Sequence, residues 1–140
     1  MQQHHILALE ERRHTLFQLL ALPEYSYNIS SEFNVDIGQI STVYGILTIK
    51  KHLWYLVARD EMEGPMYYPS HLFEIIDGRI SKYWFAKEGK DQYDNNTPII
   101  QFGFKELVDD EYFYGELLED NPVNEEVFKL YKTSMDNEFI

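Results

Sequence analysis

With 140 residues, of which 44% are apolar and 16% aromatic, the chain has the size of one domain and the material for one hydrophobic core. The absence of cysteine removes a disulfide framework, a thiolate zinc site and a cysteine nucleophile together, and points to the cytoplasm. The formal net charge is −12, and residues 101–140 supply −8 of it with eleven acids against three bases; such a field repels phosphate backbones and draws in cationic partners, which argues against nucleic acid as the direct ligand.

Taken in chain order, residues 4–22 are expected to be helical, with Ile6, Leu9, Leu16 and Leu20 near one stripe, Arg13 interrupting it and Leu19 widening it; Pro23 ends the helix. The opening MQQHHILALEERRH lacks a basic n-region, so the sequence predicts no secretory signal. No apolar run approaches the roughly 20 residues that cross a bilayer, so a soluble protein without membrane contact is expected. The polar stretch EYSYNISSEFNVDIGQ reads as a connection that becomes extended by Phe33. ISTVYGILTIKKHLWYLVA, residues 40–58, is dense in β-branched and aromatic residues and reads as two antiparallel strands around a Lys50–His52 turn.

After the charged loop RDEMEG, MYYPSHLFEII is a third extended piece cornered at Pro69 and Ser70. Asp77 and Gly78 form a hairpin turn into RISKYWFA, the fourth strand. KEGKDQYDNNTP is a surface loop and IIQFGFKEL is extended. DDEYFYGELLED is a short helix with Asp109, Asp110 and Glu111 in its first turn, the sign the helix dipole favours. NPVNEEVFKLYKTSM is a last helix capped at Asn124 or Pro122, with an apolar stripe of Val127, Leu130, Tyr131 and Ser134. The class is α+β in a single domain: an N-terminal helical extension (1–30), a β core (33–104) and an acidic helical segment (105–140).

Two stretches carry resemblances. YYPSHLFEIID, a Pro-Ser corner followed by an apolar strand, resembles the last part of SH3-like barrels, where a 3-10 turn leads into the closing strand. The likeness implies a small, strongly bent antiparallel sheet or partly open barrel with Trp54, Tyr67, Tyr68 and Trp84 on or near its faces. From Val35 to Lys132, with LFEIIDGRI the most specific part, the chain resembles a group of small uncharacterised bacterial proteins, some of which bear a label as a phosphoribosylaminoimidazole carboxylase.

The residues do not support that chemistry. The seven glycines are scattered, with no G-x-G-x-x-G or GK[ST] phosphate cradle. His5 and His14 lie nine residues apart, about 180° around a helix, and read with His4 as solvent-exposed. His71 and Glu74 point to opposite faces of an extended chain. Asp91 to Asn96 lacks the central glycine and terminal glutamate of a calcium loop. No cofactor or metal is expected.

What stands out is tyrosine and tryptophan mixed with acids. Trp54, Trp84 and Phe113 read as core, while Tyr67, Tyr68, Trp84, Asp109, Asp110, Glu111, Tyr112 and Tyr114 are the candidates for partner contact. The expectation is a non-enzymatic bacterial binding protein of the immunity or antitoxin type, masking a cationic partner such as a nuclease toxin. A peptide or small-molecule module using a groove near Tyr67, Tyr68 and Trp84, and an unrecognised enzyme, are the competing readings. The detached N-terminal helix offers a surface for a second copy.

Overall fold

Two runs of β-branched and aromatic residues, GILTI and HLWYLV, pair at the centre of the fold. The computed structural model describes residues 5–8, 39–49, 52–58, 64–90 and 98–140. In chain order these form β1 (His5–Ala8), β2 (Ile40–Thr42), β3 (Gly45–Ile49), β4 (His52–Val57), β5 (Met66–Pro69), a 3-10 turn (Ser70–Leu72), β6 (Phe73–Ile75), β7 (Phe85–Lys90), β8 (Pro98–Gly103), α1 (Lys105–Asp109), α2 (Phe113–Leu118) and α3 (Pro122–Asp136). The protein is α+β: an open antiparallel sheet ordered β5-β4-β3-β8-β7, a smaller sheet ordered β2-β1-β6, and helices at the C-terminal end. None of the described helices is long and apolar enough to cross a membrane.

The expected antiparallel pairing is present between β3 and β4, with Ile46 opposite Tyr55 and Leu47 opposite Trp54, but Ile40–Thr42 is a separate strand on β1, His52 already pairs with Ile49 instead of lying in the turn, and residues 50 and 51 lie outside the described residues. From Trp54 to Val57 every side chain of β4 is buried, so this strand is covered on both faces. Successive side chains of an extended chain point to opposite sides. Val43 accordingly joins Tyr55, Val57, Tyr68, Leu72 and Phe73 in one cluster. Its neighbour Tyr44 joins Leu56, Phe104, Leu107, Phe113 and Phe128 in the helix-side cluster.

The helices come close because two glycines face each other. Gly45 pairs with Gly103 across β3 and β8. A Cβ at Gly45 would lie 3.0 Å from the Phe102 carbonyl oxygen, and one at Gly103 would lie 2.7 Å from Leu107 Cδ2. Their absence lets α1 set Leu107 against the sheet.

α2 ends in a Schellman arrangement: Asp120 N–H donates to Leu117 O, Asn121 N–H donates to Glu116 O, and Asp120 takes φ 61°. Asn121 then caps α3, its side chain accepting from the N–H groups of Val123 (3.0 Å) and Asn124 (3.3 Å), with Pro122 in the first turn. Asn124, Phe128 and Met135 are buried on α3, and Asn124 Nδ2 donates to Phe113 O at 3.1 Å, fixing α2 on α3.

Several expectations are corrected. His5–Ala8 is a strand pairing with β2 and β6, so no helix starts at residue 4; residues 9–38, with the rest of that helix and its dimer surface, lie outside the described residues. Asp77 and Gly78 do not make a hairpin, because β6 pairs with β1 and the next strand starts only at Phe85. Asp77 Oδ1 instead accepts from the Arg79 N–H (3.2 Å) and its carboxylate holds the Arg79 guanidinium (2.8 Å), a local bond that competes with the ladder. Lys87–Lys90 belongs to β7 rather than to a loop, and residues 91–97 lie outside the described residues. Lys105–Leu107 is helical, not extended. Asp109 closes α1 and Asp110 follows it, so these acids are not the first turn of a helix. The cap of α3 is Asn121, and Leu130 faces solvent.

The C-terminus closes over the segment that was expected to be the fourth strand. Glu138 accepts from Ser81 Oγ (2.8 Å) and from the Lys82 N–H (2.8 Å), and the Arg79 guanidinium lies 4.4 Å from the Phe139 ring centroid. Replacing Glu138 by Ala leaves the buried Ser81 hydroxyl without its acceptor. The expected cost is about 1–3 kcal/mol, read from the urea midpoint.

Candidate functional site

The acids of the C-terminal third separate into two sets. The inward set receives tyrosine and serine hydroxyls. Tyr44 Oη donates to Asp136 Oδ1 at 2.7 Å, Lys132 Nζ holds the other oxygen at 2.6 Å, Tyr131 Oη donates to Glu106 Oε1 at 3.2 Å, and Glu138 holds Ser81. Burial, then the Asp136 charge and its hydrogen bond, push the Tyr44 hydroxyl far above its ordinary range. Burial and the Glu106 bond push Tyr131 up to about 12. These carboxylates tie α1, α3 and the C-terminus to the sheet and to the 77–84 segment.

The outward set lies at the end of α1 and on its connection to α2, on the turn after α2 and on α3. Asp109, Asp110 and Glu111 are exposed, as are Glu119, Asp120 and Glu126. Lys105 Nζ donates to Asp109 at 2.6 Å and that bond holds the Asp109 carboxyl below its usual value. Asp110 Oδ1 accepts from the Tyr112 N–H at 2.9 Å, which turns the chain into α2. Tyr112 is 67% exposed, and its hydroxyl is raised above its ordinary value by the hydrogen bond to Glu111. The arrangement is an anionic edge with one aromatic side chain standing on it, able to form ion pairs and to cover an apolar spot on a partner.

The other candidate aromatics are placed elsewhere. Tyr67 on β5 meets Tyr114 edge-on, with centroids 4.9 Å apart, and its N–H donates to Tyr114 Oη at 3.3 Å. Gln101 Nε2 donates to Tyr67 Oη at 3.4 Å, and burial pushes Tyr67 up to about 12. This pair docks α2 on the edge strand. Tyr68, one residue on, points to the opposite face and is buried against Tyr55 and Phe73. Trp84 is half-buried and packs against both core clusters. Tyr67, Tyr68 and Trp84 therefore do not line one exposed groove.

Of the eight candidates, Asp109, Asp110, Glu111 and Tyr112 are brought together at the surface. Among the described residues no group of three or more His, Asp or Glu side chains is placed to hold a metal ion. The inward roles of Glu106, Asp136 and Glu138 went unread in the sequence. A signal was present: a core rich in tyrosine needs acceptors for its hydroxyls, and carboxylates spaced along the last helices supply them. No protein-family model, no curated protein and no solved structure matches the chain.

Proposed function

We propose that this chain is a binding protein that masks a cationic protein partner, as an immunity protein masks a toxin such as a nuclease, with Asp109, Asp110, Glu111 and Tyr112 as the leading edge of the contact. The observation that carries the reading is the division of the acids: those needed to hold the fold are turned inward, while this run is exposed and makes only local bonds, to Lys105 and to the N–H and hydroxyl of Tyr112. A carboxylate edge on a chain of net charge −12 accelerates encounter with a cationic cleft and competes there with a nucleic acid substrate. A cytoplasmic setting fits a chain without cysteine.

The finer architecture is part of the same reading. β3, β4 and β5, the 3-10 turn after Pro69, and β6 form a partly open SH3-like barrel, supported by the return of β6 to pair with β1 after that corner. In this reading the sheet is the scaffold and the helical segment is the contact surface.

The test is titration of the chain into the basic protein encoded by a toxin-like gene adjacent to its own. A stoichiometric complex is expected whose association slows steeply between about 50 and about 300 mM salt. Lysine at Asp109, Asp110 and Glu111 together is expected to weaken binding roughly tenfold or more at the lower salt. Binding with the same affinity and the same salt dependence after that reversal rejects the acidic edge as the contact.

A further inference from the structure

The antiparallel register of β4 and β5 brings two histidines together. Trp54 lies opposite Pro69, Tyr55 opposite Tyr68 and Leu56 opposite Tyr67. Continued two residues past Trp54, the same register sets His52 opposite His71, with both side chains on the face that carries Trp54. The chain leaves the ladder after Pro69 and makes the 3-10 turn Ser70–Leu72, yet the rings stay close: their centroids lie 6.1 Å apart and their planes are inclined at 53°. His52 is held from the other side by its pairing with Ile49 of β3, and His71 is held by the buried Leu72 and Phe73 that follow it. Both histidines are half-buried, so their backbones are fixed while the rings reach solvent.

We propose that His52 and His71 clamp one divalent transition-metal ion of the Zn²⁺ or Ni²⁺ class at the corner where β5 turns into β6. In a chain without cysteine, imidazole is the side chain these ions prefer. With metal–nitrogen bonds of about 2.1 Å, two imidazoles on one tetrahedral ion have centroids about 5 Å apart. Closing the present separation by about 1 Å therefore brings a nitrogen of each ring onto the ion, a movement that rotation about side-chain bonds supplies. Each ring has two nitrogens, so ligation through one leaves the other for a hydrogen bond, the usual arrangement at such sites. Mg²⁺ and Ca²⁺ take oxygen ligands and pass the pair over.

Among the described residues no third His, Asp or Glu joins the pair. Water fills the remaining coordination positions, and the ion is held more weakly than in a four-ligand structural site. Binding ties β4 to the 3-10 turn and stabilises the folded chain by mass action.

Calorimetric titration of the untagged full chain with Zn²⁺ and with Ni²⁺, up to about 1 mM and in about 5 mM Mg²⁺ to occupy the carboxylates, reads the site. One ion per chain is expected, with a melting temperature that rises with Zn²⁺ and not with Mg²⁺ alone. His52→Gln and His71→Gln are each expected to weaken binding roughly tenfold or more and to remove the rise in melting temperature. Without metal, the circular dichroism of both variants is expected to match the wild type, because both rings reach solvent. His4→Gln with His14→Gln is expected to leave the ion bound. Lowering the pH from about 7.5 to about 5.5 is expected to release it, since protons and metal compete for the same ring nitrogens. No ion bound at about 1 mM, binding unchanged in both single variants, or binding lost with His4 and His14 overturns the proposal.

Discussion

Between about pH 10 and about pH 12 the protein is expected to unfold, with its buried tyrosines ionising in the same step. Tyr44 and Tyr67 are held above their ordinary value of 10.0, Tyr67 to about 12 and Tyr44 further still, burial being the first cause in both. Below about pH 10 these hydroxyls are protonated in the folded and the unfolded chain alike, and they leave the balance untouched. Above it the unfolded chain releases its protons while the folded chain keeps them, so stability falls as pH rises, by about 1.4 kcal/mol per unit for each group. Two groups over two units remove on the order of 5 kcal/mol, comparable with the roughly 5–15 kcal/mol that holds a domain of this size. Tyrosinate absorbance and far-UV circular dichroism, followed together, check it. Exposed Tyr112 is expected to titrate apart from the cooperative step; all tyrosines ionising smoothly near their ordinary value with the fold intact contradicts the burial described.

Phe104→Ala is expected to be the most damaging single truncation in the helix-side core. Phe104 is fully buried, stacks on Tyr131 at 4.5 Å and meets Phe113 edge-on at 5.5 Å, so it joins the end of β8 to α2 and α3. Removing the ring leaves a cavity between elements whose close approach Gly45 and Gly103 permit, and collapse into it is limited on the sheet side. A loss of about 3–5 kcal/mol is expected, which lowers Tm by roughly 10–20 °C in a chain of this length. Leu130→Ala, on the same helix bundle but exposed, is expected to stay within about 0.5 kcal/mol of the wild type in a dilute melt. Similar losses for the two variants contradict the assignment of the core.

The sequence was most legible where side-chain chemistry and backbone preference agreed. GILTI and HLWYLV are strand-forming and apolar, and their pairing follows from a short polar turn and a two-residue period. The helix after Pro122 was legible from the proline at its start and apolar residues at helical spacing, although the structure buries Phe128 and Met135 there and exposes Leu130. Reading failed where a side chain competes with the backbone. Asp77 and Gly78 have hairpin composition, yet the Asp77 carboxylate is taken up by Arg79 and the following segment is held by Glu138, fifty-six residues beyond Lys82. Long-range bonds of that kind leave no local pattern. Leu130 was misplaced because α3 has two apolar stripes, and periodicity alone does not say which of them meets the sheet. The candidate site was half legible for a related reason: acids and tyrosines were conspicuous in the sequence, but Tyr114 and Tyr67 pack against each other, with Tyr114 Oη accepting from the Tyr67 N–H, while Tyr112 stands exposed. Only the fold separates carboxylates that accept internal hydroxyls from those that face outward.

That separation is tested most directly by comparing two variants in one experiment, each measured for melting temperature and for affinity toward the basic partner. One carries Asp109→Asn, Asp110→Asn and Glu111→Lys, which keeps an acceptor at position 110 for the Tyr112 N–H; the other carries Asp136→Asn and Glu138→Gln. The outward variant is expected to melt with the wild type and to lose affinity, and the inward variant is expected to melt lower and, below its transition, to bind as the wild type does. An outward variant that binds normally, or an inward variant that loses binding while its melt is unchanged, contradicts the division of the acids on which the proposed function stands.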